Sequence, residues 1–260
     1  MDIYSVFLWH CKQNKKENLI LAVDSGIVAL FFKGNAMKTI RKIIDKPSPN
    51  FDSREGQAVD MLVLHYTGMK SAGEAMDRLC DPAAKVSAHY MVDVDGTIFR
   101  LVDEENRAWH AGVSYWRGNT NINQRSIGVE IVNTGHEFGY TPFPAPQMAA
   151  VLGLCQGILS RHAIPARNVV AHSDIAPTRK QDPGELFDWK FLAENCVGVF
   201  PEPSSEDATP SADLQKYGYD ISDHKAAITA FQRHFRPKNL SGEWDAECAG
   251  LLAALLAARK

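Results

Sequence analysis

Hydrophobic and polar positions along the chain follow two different spacings, which predict strands in some segments and helices in others. Continuous apolar runs predict buried strands at 59–65, 126–132 and 169–172. Two further runs, 88–94 and 97–102, flank Asp95-Gly96, a dipeptide typical of a tight hairpin turn. Helical spacing predicts helices at 71–79, where Ser71 and Glu74 form a capping box, and at 147–162, before Pro165.

This mixture of strands, hairpins and helices predicts an α/β fold, with a mixed central β-sheet flanked by helices. The segment 200–212 is rich in proline, serine and acidic residues and is typical of an extended linker. Apolar residues at helical spacing follow it, which predicts a small C-terminal three-helix bundle. We therefore divide the chain into an N-terminal extension at 1–46, a catalytic domain at 47–199, a linker at 200–212 and a helical domain at 213–260.

The N-terminal segment contains an apolar run at 19–32 that superficially resembles a signal peptide. Asp24 interrupts the run, and Ala36 offers only a weak cleavage position. We interpret Met37 as the natural start and the preceding residues as an upstream extension. An extra strand or helix packed on the core is an equally good interpretation of this composition.

Composition narrows the class of protein. Hydrophobic residues make up 45% of the chain and charged residues 23%, which is typical of a soluble globular protein without a membrane span. The net charge of -3 gives no reason to expect a nucleic acid partner. The five cysteines are scattered and odd in number, which favours reduced thiols and a cytoplasmic location. A periplasmic location is the alternative.

Two histidines and an aspartate are candidates for a metal site. His65 and His172 each end an apolar strand, and Asp182 lies in a turn-forming segment with Pro183 and Gly184. Two imidazoles and one carboxylate form a three-ligand zinc set that leaves a fourth position for water. Ordinary core histidines and a loop aspartate are the alternative interpretation.

Two charged residues near these candidates could take part in chemistry. Glu130 lies inside an otherwise apolar strand, where a carboxylate is costly unless it is paired or functional. A solvent-facing position on a half-exposed strand is the alternative. Lys180 precedes Asp182 by two residues, and by itself a solvated loop lysine explains it equally well.

The segment 172–184, His-Ser-Asp-Ile-Ala-Pro-Thr-Arg-Lys-Gln-Asp-Pro-Gly, resembles the motif of the type 2 N-acetylmuramoyl-L-alanine amidases. This family includes bacterial cell-wall-recycling amidases and animal peptidoglycan recognition proteins. Three further segments are similar to the same family, namely 63–67, 86–90 and 108–112. The resemblance extends from about Met61 to Trp189, and the tail is more weakly similar to a helical peptidoglycan-binding module.

The resemblance implies a role for each matching residue. His65, His172 and Asp182 would bind Zn²⁺ at the edge of the sheet. Glu130 would be the catalytic acid and base, and Lys180 would stabilise the transition state. The candidate substrate contacts are His110, Trp109, Trp116 and His89, of which the last could be only structural.

The implied activity is hydrolysis of the amide between the lactyl group of N-acetylmuramic acid, or its anhydro form, and L-alanine of the stem peptide. Peptidoglycan fragments would be the partners, in recycling or turnover. Two other functions remain possible from the sequence: a non-catalytic peptidoglycan receptor, and a zinc hydrolase that acts on another amide. All the expected metal ligands are present, which favours the enzyme over the receptor.

Overall fold

A mixed β-sheet forms the centre of the protein. The computed structural model describes residues 23–24, 27–28, 41–205 and 208–258. The strands are β1 (Val23–Asp24), β2 (Ile27–Val28), β3 (Arg41–Asp45), β4 (Phe51–Ser53), β5 (Met61–Tyr66), β6 (Tyr90–Val92), β7 (Ile98–Arg100), β8 (Asn106–Ala108), β9 (Ser126–Ile131) and β10 (Val169–Ala171). Their order in the central sheet is β1-β2-β3-β7-β6-β9-β5-β10, and β4 pairs separately with β8. Both parallel and antiparallel pairs occur, which confirms the predicted mixed sheet.

The helices flank this sheet. They are α1 (Ala72–Cys80), α2 (Ile122–Arg125), α3 (Ala145–Arg161), α4 (His172–Ile175), α5 (Trp189–Glu194), α6 (Pro210–Tyr217), α7 (His224–Phe235) and α8 (Ala246–Ala257). The predicted cap of α1 is present, because the Ser71 hydroxyl accepts a hydrogen bond from the backbone N–H of Glu74. No helix within the described ranges combines the length and apolarity needed to cross a membrane.

Side chains of β5 alternate between the two faces of the sheet, because successive residues of a strand point in opposite directions. Leu62 and Leu64 pack in the core that includes α3. Met61 and Val63 pack in a second core that includes the C-terminal helices. His65 follows Met61 and Val63 on this second face, so the helical tail covers the face of the sheet that carries the site.

The predicted three-helix bundle is present as α6, α7 and α8. It begins at Pro210, inside the predicted linker, and the preceding segment is not a free tether. The backbone N–H of Ser204 donates a hydrogen bond to the carbonyl of Gly250 in α8, at 3.1 Å. A Cβ at Gly250 would lie 2.5 Å from the carbonyl oxygen of Ser204, so the linker packs directly on the helix backbone.

The N-terminal boundary at residue 46 divides the structure in the wrong place. Strand β3 pairs in parallel with β7, and Ile43 is in register with Ile98. Residues 41–45 therefore belong to the central sheet, which agrees with the alternative of an extra strand on the core. Met37 and the weak cleavage position at Ala36 lie outside the described residues.

The thiol chemistry differs in part from the expectation. Cys80, Cys155 and Cys248 are free, as the sequence predicts, and Cys11 lies outside the described residues. Cys196 is disulfide-bonded, so the expectation of reduced thiols is wrong at this position. The spacing of cysteines along a sequence does not reveal a disulfide, because disulfide formation depends on distance in space.

Candidate metal centre and active site

Three potential metal ligands converge at one end of the sheet. The Nδ1 atoms of His65 and His172 are 2.8 Å apart. The Oδ2 atom of Asp182 lies 3.1 Å from Nδ1 of His65 and 3.0 Å from Nδ1 of His172. Ligand atoms of a tetrahedral zinc site with bonds of about 2.0 Å are about 3.3 Å apart, so the three atoms are close to the spacing that such an ion requires.

The topology of the sheet explains this convergence. Strands β5 and β10 are parallel neighbours, with Leu64 in register with Ala171. His65 and His172 follow these two residues and therefore emerge side by side at the same edge. Asp182 reaches them from a loop, which is fixed by a 3.0 Å hydrogen bond from the backbone N–H of Ser173 to the Asp182 carbonyl.

The protonation states of these side chains suit a metal ion. Burial lowers the pKa of His65 to about 4, and the neighbouring His172 acts in the same direction. Burial opposes the ionisation of Asp182, but its interactions with His172 and His65 outweigh this effect and hold the pKa of the carboxyl well below its usual range. A neutral imidazole and an ionised carboxylate are the forms that bind metals, so the donor set fits a divalent cation.

Glu130 lies directly beside His65. The two residues are in register on the parallel strands β5 and β9, so their side chains leave the same face of the sheet. Burial and the charge of Asp182 raise the pKa of Glu130 well above its usual value, and the charge of Lys180 opposes this shift. Its Oε2 atom is buried and has no hydrogen-bond partner among the described residues. A carboxylate oxygen that is buried without a partner beside a cleft is typical of a functional acid or base.

A cavity of about 370 Å³ opens onto this cluster. Its lining includes the charged or potentially metal-binding residues Glu130, His172, Lys180 and Asp182. Trp109, His110, Arg78 and Arg179 also line it. The cavity therefore combines acidic groups and candidate metal ligands with cationic and aromatic side chains, which suits a polar ligand.

Comparison with known proteins agrees with this geometry. Residues 55–185 match the family model described as N-acetylmuramoyl-L-alanine amidase. The amidase AmiD of Escherichia coli is 36% identical over 251 aligned residues, which cover 82% of this chain and 90% of AmiD. The chain belongs to the type 2 N-acetylmuramoyl-L-alanine amidase family. It is an amidase, which confirms the family and the enzyme class expected from its motifs.

Two further comparisons extend the result to structure and to a second relative. A solved structure of AmiD from E. coli, in complex with the substrate anhydro-N-acetylmuramic acid-L-Ala-D-γ-Glu-L-Lys, has a TM-score of 0.70 and 34% identity, and covers 91% of this chain and 99% of that one. The 1,6-anhydro-N-acetylmuramyl-L-alanine amidase AmpD of E. coli is 36% identical over 161 residues, covering 55% of this chain and 86% of AmpD.

The four predicted substrate contacts of the amidase separate into two groups. Trp109 and His110 line the cavity. Trp116 is only 1% exposed. It packs edge-on against Tyr219 of the C-terminal module, the three-helix bundle α6–α8 that begins at Pro210, with ring centroids 5.2 Å apart. The structure thus places Trp116 in the core, where it cannot reach a ligand.

His89 is also away from the cavity surface. It is fully buried, and its Nδ1 atom accepts a hydrogen bond from the backbone N–H of Gly128 at 2.9 Å. Its Nε2 atom lies 2.7 Å from Nη2 of Arg54. This environment agrees with the structural role that the sequence left open for His89.

The sequence interpretation did not include a hydrogen-bonded chain at the rim of the cavity. The Tyr66 hydroxyl lies 2.9 Å from Nδ1 of His136, and Nε2 of His136 lies 3.1 Å from a carboxylate oxygen of Glu185. Arg233 of the C-terminal module is 3.6 Å from the same carboxylate. Only the position of Tyr66 directly after His65 could have indicated this chain, since the other residues are far apart in sequence.

Proposed function

We propose that the protein is a zinc-dependent amidase that hydrolyses the bond between the lactyl group of N-acetylmuramic acid and L-alanine of the stem peptide. The observation that carries this proposal is the position of Glu130 beside three converging ligand atoms. Membership of the amidase family supports the reaction class, and the ligand set supports the metal.

His65, His172 and Asp182 would hold the zinc ion. Two imidazole nitrogens and one carboxylate oxygen are typical of a catalytic zinc site, in which three protein ligands leave a position open. When bound, zinc would polarise the amide carbonyl and lower the pKa of a water molecule. The retained ligand set favours catalysis over a receptor role without metal.

Glu130 and Lys180 would carry the remaining chemistry. Glu130 would accept a proton from the attacking water and deliver it to the leaving amine. The cationic Nζ of Lys180 would stabilise the negative charge that develops on the amide oxygen. Both side chains line the cavity. Neither serine nor cysteine is required as a nucleophile, because water attacks directly.

We propose soluble anhydro-muropeptides as the substrates, in peptidoglycan recycling. AmiD was solved with a ligand of this kind, as was a Pseudomonas aeruginosa relative, AmpDh3, which is 31% identical with a TM-score of 0.69. A cavity of about 370 Å³ is of the size that encloses a small molecule, so it would hold only the part of a muropeptide nearest the scissile amide.

The cytoplasmic location stays a prediction, with the periplasm as the alternative. The free thiols of Cys80, Cys155 and Cys248 support a reducing compartment, whereas the disulfide at Cys196 supports an oxidising one. Fractionation of cells that express the native gene, followed by blotting, distinguishes the two compartments.

Mass spectrometry of digests of purified muropeptides tests the function. We expect release of the intact stem peptide, with L-alanine as its new amino terminus. The other product should be N-acetylmuramic acid, or its anhydro form, with a free lactyl carboxylate. Polymeric peptidoglycan and an unrelated N-acylated peptide are the comparison substrates. Cleavage of the unrelated peptide alone would contradict the proposed amidase function. Equal cleavage of polymer and soluble fragments would exclude a preference for soluble anhydro-muropeptides.

A further inference from the structure

The segment Trp109–Gly112 lies directly behind both metal-site histidines. On one side, Nδ1 of His110 lies 3.0 Å from Nε2 of His65. On the other side, Nε2 of His172 lies 3.0 Å from the carbonyl oxygen of Ala111. Two adjacent residues of one segment therefore contact the ring nitrogens of His65 and His172 that face away from the metal site.

The direction of the hydrogen bond to His172 is fixed by the carbonyl group. A carbonyl oxygen only accepts hydrogen bonds, so Nε2 of His172 carries the proton and donates it to Ala111. The Nδ1 atom of the neutral ring then presents a lone pair to Asp182. The Ala111 carbonyl is itself held by Nη2 of Arg179, at 2.8 Å.

The direction of the hydrogen bond between His110 and His65 is fixed by a series of hydrogen bonds that begins at Ser126. The Ser126 hydroxyl donates its single proton to the carbonyl oxygen of Ile122, at 2.7 Å. Its oxygen, 3.0 Å from Nε2 of His110, can therefore only accept there. A neutral His110 protonated at Nε2 has a lone pair at Nδ1, which accepts the Nε2 proton of His65. The lone pair at Nδ1 of His65 then faces the metal site.

Gly128 leaves room beside the strand backbone for the imidazole ring of His110. Ser126, Gly128 and Glu130 share the face of β9 that carries the site, because they alternate along the strand. A Cβ at Gly128 would lie 2.4 Å from Cγ of His110. The imidazole of His110 therefore packs directly on the strand backbone, and only glycine at position 128 allows its ring to reach both Ser126 and His65.

We propose that the segment Trp109–Gly112 is the positioning element of the metal centre: His110, oriented by Ser126, and the Ala111 carbonyl hold both ligand histidines as Nε2–H tautomers. Three acceptor atoms, the two Nδ1 atoms and Oδ2 of Asp182, then lie within 3.1 Å of one another. His110 is a positioning residue in this assignment, and its hydrogen bonds replace the substrate contact expected from the sequence.

Zinc affinity tests this assignment, measured by competition with a chromophoric chelator at fixed pH. Outer-shell partners of metal ligands typically contribute about 10–100-fold in affinity. We expect Ser126→Ala to weaken zinc binding about 10-fold and His110→Phe to weaken it about 100-fold. Ser48→Ala is the matched control, because Ser48 is a buried serine whose hydroxyl also donates to a carbonyl, that of Leu79, away from the ligands. Its zinc affinity should equal that of the wild type.

Nitrogen-15 NMR of the histidine rings in the zinc-free protein provides a second, independent measurement. We expect protonated Nε2 and unprotonated Nδ1 on both His65 and His172, and loss of the single tautomer at His65 in Ser126→Ala. Wild-type zinc affinity in a folded His110→Phe variant, or a proton on Nδ1 of His65 in the wild type, would overturn the assignment. The inference rests on the proposed zinc function, but the tautomers are measured without metal or substrate. A protein with the expected tautomers and no amidase activity would therefore refute only the proposed function.

Discussion

The hydroxyl of Tyr219 donates a hydrogen bond of 2.7 Å to the carboxylate of Asp174. Asp174 lies two residues after the metal-site histidine His172, in the short helix α4, whereas Tyr219 belongs to the C-terminal module. The other carboxylate oxygen of Asp174 accepts bonds from Nδ1 of His234 in α7, at 2.6 Å, and from the backbone N–H of Ala171, at 2.8 Å. The module therefore holds the segment that carries the proposed metal ligand His172.

Removal of the module tests whether it folds separately from the catalytic domain. The sequence alone predicts that a cut in the linker leaves a folded, zinc-loaded catalytic domain. The contacts predict instead that a chain ending before Pro210 is destabilised, because Met61, Val63 and Ile175 lose their cover. The loss should be roughly 5 kcal/mol, since each large apolar side chain contributes about 1.5–3 kcal/mol when buried. Urea denaturation measures it, and unchanged stability with full zinc content would support the separate domain.

Two substitutions of Tyr219 distinguish the contribution of its hydrogen bond to Asp174 from that of its ring packing. Tyr219→Phe keeps the aromatic ring but leaves a buried carboxylate oxygen of Asp174 without this partner. We expect a loss of about 1–3 kcal/mol and a lower melting temperature by scanning calorimetry. Tyr219→Leu should lose more, because it also removes the ring contact with Trp116. Equal stability of Tyr219→Phe and the wild type would show that the hydrogen bond contributes nothing.

Metal analysis tests the ligand set. The dialysed wild-type protein should contain one zinc ion per chain, and His172→Ala should contain far less, because two remaining ligands do not form a closed site. His136→Ala is the matched control, since His136 lines the same cavity but bonds to Tyr66 and Glu185 instead of to the ligands. Tightly bound, stoichiometric zinc in His172→Ala would refute the assignment.

Kinetics test the two proposed catalytic groups. Glu130→Gln should retain zinc and the fold but lose about 10²–10⁴ in kcat, because the proton acceptor is removed. Lys180→Met should lower kcat more than it changes KM, since the charge that Lys180 stabilises exists only in the transition state. Lys190→Met is the control at an exposed lysine paired with Glu202. A wild-type rate in Glu130→Gln would show that the carboxylate is only a polar strand position.

The stability of the fold should depend on pH through Glu104. Burial opposes ionisation of this carboxyl, but hydrogen bonds from His162, Arg161 and Tyr90 outweigh it and hold its pKa well below the usual value. The stabilisation is therefore complete above the unfolded pKa of about 4.3 and is lost as the pH falls towards the folded pKa.

Replacement of this carboxylate measures its contribution. Glu104→Gln should lower the free energy of unfolding at pH 7 by about 2 kcal/mol, and the difference from the wild type should shrink below about pH 4. Urea titrations at pH 7, 5, 4 and 3 test this dependence. Glu105→Gln, at the exposed neighbouring position, should have little effect at any of these values. A difference that grows towards acidic pH would have the wrong sign for the proposed cause.

Much of the fold could be predicted because local patterns encode it. The apolar run at 59–65 became β5, and the hairpin around Asp95-Gly96 became β6 and β7. The site could be predicted in part, because His65 lies one residue before the end of β5, His172 directly follows β10, and their imidazoles suit a metal. The sequence alone could not show that Trp109 faces the cavity and Trp116 lies in the core. In the structure, Tyr217 and Tyr219 of the C-terminal module pack on the indole of Trp116, whereas Trp109 lines the cavity.

The sequence by itself determined that Ser126, Gly128 and Glu130 share one face of a strand, because side chains alternate along any extended segment. It also determined which side chains can bind a metal or transfer a proton. Only the tertiary structure decided that Glu130 is in register with His65 and that His110 lies between His65 and Ser126. Strand register and loop placement are set by the pairing and packing of segments far apart in sequence, so no local pattern specifies them.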